Sequence, residues 1–372
     1  MNCSRSHICF LGFSLLLMNP SFAKSATLDR STWRVEIFAG AGSDPDARQQ
    51  ESLKLNSPFG VNLDRHDNAF LVEMVGNRLL EIGKDGSVRT LAGNGMKGDV
   101  GDGGPSERSQ VNGPHNLTLA STGDLYFADS WNNRIRWIEK KSGVIRSIAG
   151  TGKAGFSGDG EKATMATMGG VYGVVLDAQE RNLYFADLDN RRVRAVQLKT
   201  GLIRTVAGTG EKGVPIDDSM AMASPLVDPR GVAVDRNENV YILERGGNAM
   251  RIVDRSGRIR TLVGASGKPG LASDSEPGLT AHLRSPKDLT VDLVGSILIA
   301  DSDNHCIRRY DPRSGILSRV IGTGTQGSGG IGGPPGQCSL NQPHGIWVHP
   351  KGDLFISDSS NHRILRLRNP NK

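Results

Sequence analysis

The chain has 372 residues, with 45 lysines and arginines against 39 aspartates and glutamates, for a formal net charge of +6. The excess is modest, the two signs are interspersed, and no run of five like charges occurs. A basic tail or polyanion-binding stripe is therefore absent, and nothing in the charge pattern favours a nucleic-acid partner.

Residues 1–23 differ from everything that follows. Arg5 and His7 precede the apolar run 8–18, and Ser21-Phe-Ala23 has the small-x-small form of a processing site. The run is too short for a membrane span and reads as a secretory signal, which places the mature chain in the periplasm or outside the cell, with no transmembrane segment of its own. A short extension, 24–32, follows.

From residue 55 to the end, one unit is written six times. Its position before the first strand is Pro58, Pro114, Val171, Pro229, Pro286 and Pro343, at steps of 56 to 58 residues. The units begin near 55, 111, 168, 226, 283 and 340. Such a fixed period marks a repeat architecture. Within the second unit, four apolar runs (116–120, 125–128, 135–138 and 144–149) are divided by Thr122-Gly-Asp124, Asn132-Asn133 and Ser142-Gly143. Gly, Asn, Asp and Ser at these points are turn residues, so each unit is a four-stranded antiparallel sheet. Runs such as Leu125-Tyr-Phe-Ala128 need cover on both faces, and radial stacking of small sheets provides it. The expectation is an all-β, six-bladed propeller over 33–368, with 369–372 as a tail. The sixth unit stops after three strands. Residues 33–42, of fourth-strand type, complete it and leave no open edge.

Two cysteines remain after the signal, Cys306 and Cys338. Both fall in segments expected on one face, which makes a disulfide feasible in an oxidising compartment.

Two rings of residues stand out. The uniform one is Glu73, Asp129, Asp187, Glu244, Asp301 and Asp358, each ending a second strand. Uniformity favours a turn-capping role, with pairing to the arginine of the repeat (Arg78, Arg134, Arg192, Arg363). Ala249 stands at that place in the fourth unit, which would leave Glu244 freer. The variable ring follows the proline-like position and consists of Phe59, His115, Tyr172, Arg230, Lys287 and His344. Its members differ from unit to unit and are polar or aromatic, which is what a binding site on a symmetric scaffold requires. His305 and His362 recur with the repeat and read as structural. His66 and His349 fall in turns on the opposite face and are expected to be solvated.

These residues resemble the NHL-repeat family of propellers. The naming element appears as Asn304-His-Cys-Ile307, Asn361-His-Arg-Ile364, Asn133-Arg-Ile135 and Asn190-Arg-Arg-Val193. The loops Ala92-Gly-Asn-Gly-Met-Lys-Gly-Asp-Val-Gly-Asp-Gly-Gly104 and Ala149-Gly-Thr-Gly-Lys-Ala-Gly-Phe-Ser-Gly-Asp-Gly160 are similar to those of the teneurin-type propeller and a bacterial secreted subtype. The resemblance implies that the first strands line a central channel and that the variable ring lies at its mouth, on the face carrying the long loops. It implies a binding scaffold for a protein, peptide or glycan.

A related propeller class, the peptidyl-hydroxyglycine amidating lyases, holds zinc on channel histidines from alternate blades, beside an arginine and a tyrosine. By that resemblance the second expectation is a metal-dependent lyase or lactonase-like hydrolase. Zinc or calcium would sit on His115 and His344, supplemented by Glu73 or Glu244. Tyr172, Arg230 and Lys287 would be the catalytic groups. Here Arg230 occupies the third alternate position, so three histidines are not available. Asp99, Asp102 and Asp159 lack the alternating ligand pattern of a calcium loop. The Gly/Pro-rich stretch 323–336 is expected to be mobile.

Overall fold

The computed structural model describes residues 32–368; the expected signal segment 1–23, most of the extension and the tail 369–372 lie outside the described residues. The repeats fold into six antiparallel sheets around one axis. Blade 1 comprises Pro58–Leu63, Ala69–Glu73, Arg78–Ile82 and Val88–Ala92, and blade 2 comprises Pro114–Leu119, Leu125–Asp129, Arg134–Ile138 and Ile145–Ala149. Blades 3, 4 and 5 begin at Val171, Pro229 and Leu289. Inner strands of consecutive blades touch all round the ring, the sixth touching the first.

Closure follows the expected route. Arg34–Ala39 pairs with Arg363–Arg368 as the outer strand of blade 6, with Val35 opposite Leu367 and Ile37 opposite Leu365. Joining the two ends of the chain in one sheet removes the exposed edges that terminal blades would otherwise present. The loop 323–336 takes part and is not the loose segment expected: Gly332 N–H donates to Val35 O (2.8 Å), and Val35 N–H to Gly333 O (3.2 Å). Blade 5 gains a fifth short strand, Ser275–Pro277, on its outer edge. No helix among the described residues is long and apolar enough to cross a membrane.

The core lies between neighbouring blades. Phe70, Val72 and Leu79 of blade 1, for example, pack with Leu117, Leu125 and Phe127 of blade 2. Against this apolar packing stands a polar device repeated six times. Each uniform carboxylate is fully buried and accepts the backbone N–H that precedes its own inner strand: Asn56 to Glu73 (2.6 Å), Asn112 to Asp129 (2.8 Å), Gly169 to Asp187 (2.8 Å), Val227 to Glu244 (2.7 Å), Arg284 to Asp301 (2.8 Å) and Asn341 to Asp358 (2.7 Å). The third strand supplies a guanidinium to each. Where the carboxylate is Asp, the residue three places on is Asn, whose amide donates to it (Asn132, Asn190, Asn304 and Asn361, 2.7–2.9 Å). Where it is Glu, that residue is Gly. A Cβ on Gly76 or Gly247 would meet the Glu73 or Glu244 carboxylate at 2.8 or 2.6 Å, so the longer side chain fills the space of the missing Asn.

The guanidinium comes from two places, which corrects the sequence expectation for four blades. In blades 1 and 6 it is the expected Arg78 or Arg363. In blades 2 to 5 it is a residue two positions further on: Arg136, Arg194, Arg251 and Arg308, all at most 1% exposed. Glu244 is therefore not free. Arg251 holds it at 2.8 Å, and burial raises its pKa. The loop aspartates complete the clamp, with Asp99 and Asp102 on Arg136 and Asp159 on Arg194 at 2.8 Å.

Blades are fastened to one another by the turn after the second strand. Its left-handed residue (Asn77, Asn133, Asn248, His305 or His362, φ 48–55°) accepts a backbone N–H from the next blade. The bonds are Gly113 N–H to Asn77 (3.0 Å), Gly170 to Asn133 (3.0 Å), Ser285 to Asn248 (2.9 Å), Gln342 to His305 (3.2 Å) and Ser57 to His362 (3.1 Å). The repeat histidines are thus inter-blade acceptors. His349 differs from expectation: it is buried, with Nε2 at 2.9 Å from Asp67, and ties blade 6 to blade 1.

The two cysteines are both free and buried, so the expected disulfide is not formed. Cys306 occupies the slot that an arginine fills in blades 1 and 6, and its Sγ faces Asp301 at 3.9 Å. Cys338 packs with Trp33, Val35 and Leu340. Burial pushes their thiols up to about 12 and about 11.

Removing one partner of a buried pair leaves the other charge uncompensated. Arg136→Ala should cost about 3–5 kcal/mol, whereas Arg181→Ala, which breaks an exposed pair with Glu238, should cost about 1 kcal/mol or less. Urea unfolding of both variants checks this.

Candidate functional site

Five members of the variable ring assemble as one connected cluster, and Lys287 lies near enough to act electrostatically on Arg230. Close approach of the inner strands makes this possible. A Cβ on Gly173 would lie 2.9 Å from Arg230 O and 3.0 Å from Val232 N, and one on Gly345 would collide with Phe59 O. Glycine just after the ring position lets the strands converge and brings six side chains to one mouth.

Phe59 stacks on His344 (centroids 3.9 Å, 14° between planes), and the edge of His115 meets Phe59 at 5.0 Å and Tyr172 at 4.5 Å. The Arg230 guanidinium lies over the Tyr172 ring at 4.3 Å, a cation–π contact. Trp131, 46% exposed, stands at the rim, 6.0 Å from His115.

Both histidines are oriented by backbone. Nδ1 of His115 lies 2.7 Å from Gly113 O and Nδ1 of His344 lies 2.8 Å from Gln342 O. A carbonyl only accepts, so Nδ1 carries the proton, and Nε2 is left with a lone pair. Burial first, and then the charge of Arg230, hold both rings well below the usual imidazole value, so they are neutral near pH 7.

The cations are the unusual members. Burial depresses Arg230 to about 10 and Lys287 to about 8. Arg245, on the turn that follows Glu244, bears electrostatically on both. Among the described residues, none of the three forms an ion pair. Arg245 escaped the sequence reading, although a signal existed: its equivalents are Met74, Ser130, Leu188, Ser302 and Ser359, so it is the one charged residue at a place where three blades carry Ser.

The floor was missed too. The glycine place after the ring position is Asn116 in blade 2 and Asp288 in blade 5, which face each other across a six-membered ring. Asn116 Nδ2 reaches Asp288 Oδ1 at 3.4 Å, while Ile346 N–H donates to Asp288 Oδ2 at 3.1 Å. Burial raises the Asp288 carboxyl to about 7. This pair caps a cavity of 150 Å³ within the channel, lined by Val61, Val174, Val232, Leu289 and Ile346. The ring residues stand one place earlier on the same inner strands, on the mouth side of this pair.

The metal set expected from sequence does not assemble. Glu73 and Glu244 are committed to backbone caps and arginines, and no group of three or more His, Cys, Asp or Glu able to hold a metal occurs among the described residues. The charges of Arg230 and Lys287, which bear on both His115 and His344, also oppose a positive ion there.

Comparison with known proteins agrees with the fold. The family model of the teneurin NHL domain matches residues 165–275, and that of the NHL repeat matches 340–367. The chain is thus similar to NHL-repeat propellers in these segments. Mouse Teneurin-3 is 24% identical over 386 aligned residues, covering 96% of this chain and 13% of that protein. Bovine NHL repeat-containing protein 2 is 24% identical over 339, covering 83% and 46%, and Arabidopsis thaliana SUPPRESSOR OF QUENCHING 1 is 25% identical over 293, covering 75% and 27%. The chain thus spans less than half the length of these relatives. Among solved structures, one described as an auxiliary nutrient binding protein from Bacteroides thetaiotaomicron superposes with a TM-score of 0.66 at 15% identity, covering 90% of this chain and 76% of that one. Virginiamycin B lyase from Staphylococcus aureus gives 0.51 at 15%, covering 91% and 87%. At such identities the likeness is one of fold.

At pH 6.5, where a free imidazole is about half protonated, the rings of His115 and His344 should remain neutral Nδ1–H tautomers. Ring-nitrogen NMR checks this; imidazolium signals from either residue at that pH would contradict it. Because the unfolded chain takes up these protons more readily, this pair makes acidification below pH 6.5 destabilising.

Proposed function

We propose that this propeller is a binding protein that captures its ligand in the cup at the channel mouth, and that it acts outside the cytoplasm, in the periplasm or beyond the cell. The location rests on the character of residues 1–23 in the sequence. The observation that carries the binding reading is the contrast between the two rings. All six uniform carboxylates are used up in capping their own inner strands and holding a guanidinium of the same blade. Phe59, His115, Tyr172, Arg230, Lys287 and His344 comprise five residue types over six blades, and all but Lys287 touch one another in a chain of ring contacts. A protein, a peptide or a glycan would present a terminal group to the cup, with the long loops around it. The resemblance in fold to a protein described as nutrient binding supports the reading.

A second reading is favoured by one observation, the backbone lock on both imidazoles. Two neutral Nε2 lone pairs aimed from the mouth, near the Tyr172 phenol, are the equipment of a general base in lyase or lactonase chemistry. Zinc or calcium on His115 and His344 would be the metal form of it, and the adjacent cations weigh against that form.

A thermal-shift screen of residues 24–372 against a chemically mixed metabolite set separates these readings. Binding predicts compounds that raise the melting temperature of the native chain and lose that effect in Tyr172→Ala and His115→Ala, with the compound unchanged afterwards. Ring-dependent turnover would move the enzyme ahead. Hits insensitive to both variants but lost on trimming 94–110 or 152–168 would place binding on the loops.

A further inference from the structure

We infer that the ligand of the cup is a small anionic carbohydrate, a sugar carrying one carboxylate or phosphate, bound by Arg230, Arg245 and Lys287 through its anion and by His115 and His344 through its hydroxyls. The inference rests on the binding reading of the same cup and adds the chemical class.

Charge comes first. Arg230 is 7% exposed and stacks on Tyr172, yet forms no ion pair. Lys287 enters from the next blade, and Arg245 from the turn above. Buried cations are ordinarily paired, and elsewhere in this molecule they are: Arg136, Arg194, Arg251 and Arg308 each hold a carboxylate. The carboxylates nearest the mouth cations are otherwise engaged. Asp288 is bonded to Asn116 and to the Ile346 N–H, and Asp303 to Gln342 at 3.3 Å. Three positive groups without an ion-pair partner at one opening specify an anion. The Arg230 guanidinium, 4.3 Å from the Tyr172 ring centroid, is the group at the mouth whose forked N–H donors match two oxygens of one carboxylate or phosphate.

The rest of the ligand is read from the other walls. His115 and His344 each offer an Nε2 acceptor, since Nδ1 is tied to a backbone carbonyl. Acceptors call for donors on the ligand. An ammonium would meet three cations, which excludes an amino acid or a peptide amino terminus and leaves hydroxyls. Trp131, exposed at the rim, offers an aromatic face that suits the C–H face of a sugar ring. The Asn116–Asp288 floor limits depth, so the group enters end-on, either free or as the terminal residue of a longer chain.

Calorimetry at low ionic strength tests this with galacturonate, glucose 6-phosphate, galactose, inorganic phosphate and a disaccharide ending in a uronate. The inference predicts that galacturonate or glucose 6-phosphate binds at least tenfold more tightly than galactose and than inorganic phosphate. Whichever of the two binds identifies the anion, and equal binding of the disaccharide identifies a chain end as the source. Arg230→Gln should weaken binding at least tenfold, with partial recovery in Arg230→Lys. Lys287→Met provides the same test should Arg230→Gln fail to fold. His344→Gln should erode the preference for the sugar over inorganic phosphate. If galactose binds as well as the anionic sugars, or if Lys287→Met leaves their affinity unchanged, the anionic class is wrong. A neutral or cationic compound from the screen whose binding requires Tyr172 would overturn the class while leaving the cup as the binding site. No ring-dependent ligand of any charge would overturn both.

Discussion

Six fully buried carboxylates, each capping the start of its own inner strand and each held by a guanidinium, are the constraint from which the rest of this structure follows. The cap fixes where the inner strand begins, and the guanidinium fixes the third strand against the second. In blades 2 and 3 the loop aspartates reach the same arginine from outside, so one cation joins the blade to the loop laid over it. Desolvating so many charges is costly, and the arrangement holds because each carboxylate has both a backbone N–H and a guanidinium. Apolar packing between blades supplies the bulk of the folding energy. The polar device supplies register, which matters in sheets whose strands are apolar on both faces and could otherwise slip.

That division leaves the mouth of the channel free to vary. A side chain just beyond the proline-like position makes no contribution to the cap, the guanidinium clamp or the inter-blade acceptor. Chemistry there can change from blade to blade without disturbing the repeat. In this chain it has become aromatic on one side and cationic on the other, over a floor made by two residues that depart from glycine. Arg230, Lys287 and Arg245 are the reverse of the structural arginines: near one another and without an ion-pair carboxylate. Stability is not improved by such a cluster, and sites that oppose stability are where function is found.

Most of the architecture was legible in the sequence because a period near 57 residues is an unusually strong signal and because turn residues punctuate each strand. Closure by residues 33–42 could be read for the same reason. The partner of the carboxylate could not. Arg134 and Arg136, or Arg192 and Arg194, are two residues apart and share one face of a strand, so alternation cannot choose between them. Glu244 was expected to be free for that reason, and Arg251 proved to hold it. The cysteines misled for a related reason: sharing a face of the ring does not bring two thiols together when one replaces an arginine and the other packs in a core. Asn116, Asp288 and Arg245 were readable as departures from the repeat. Their meaning came only from the ring geometry, which sets blade 2 opposite blade 5 and brings a turn of blade 4 over its own inner strand.

The two kinds of cation differ in what they contribute to folding, and the ligand-free protein tests that difference. Lys287 is held as unpaired charge at the cost of stability, so Lys287→Met, measured by urea unfolding without ligand, should leave the midpoint unchanged or raise it. A loss of several kcal/mol, of the size expected for breaking a buried pair, would show that Lys287 supports the fold and would contradict the separation of the mouth from the scaffold.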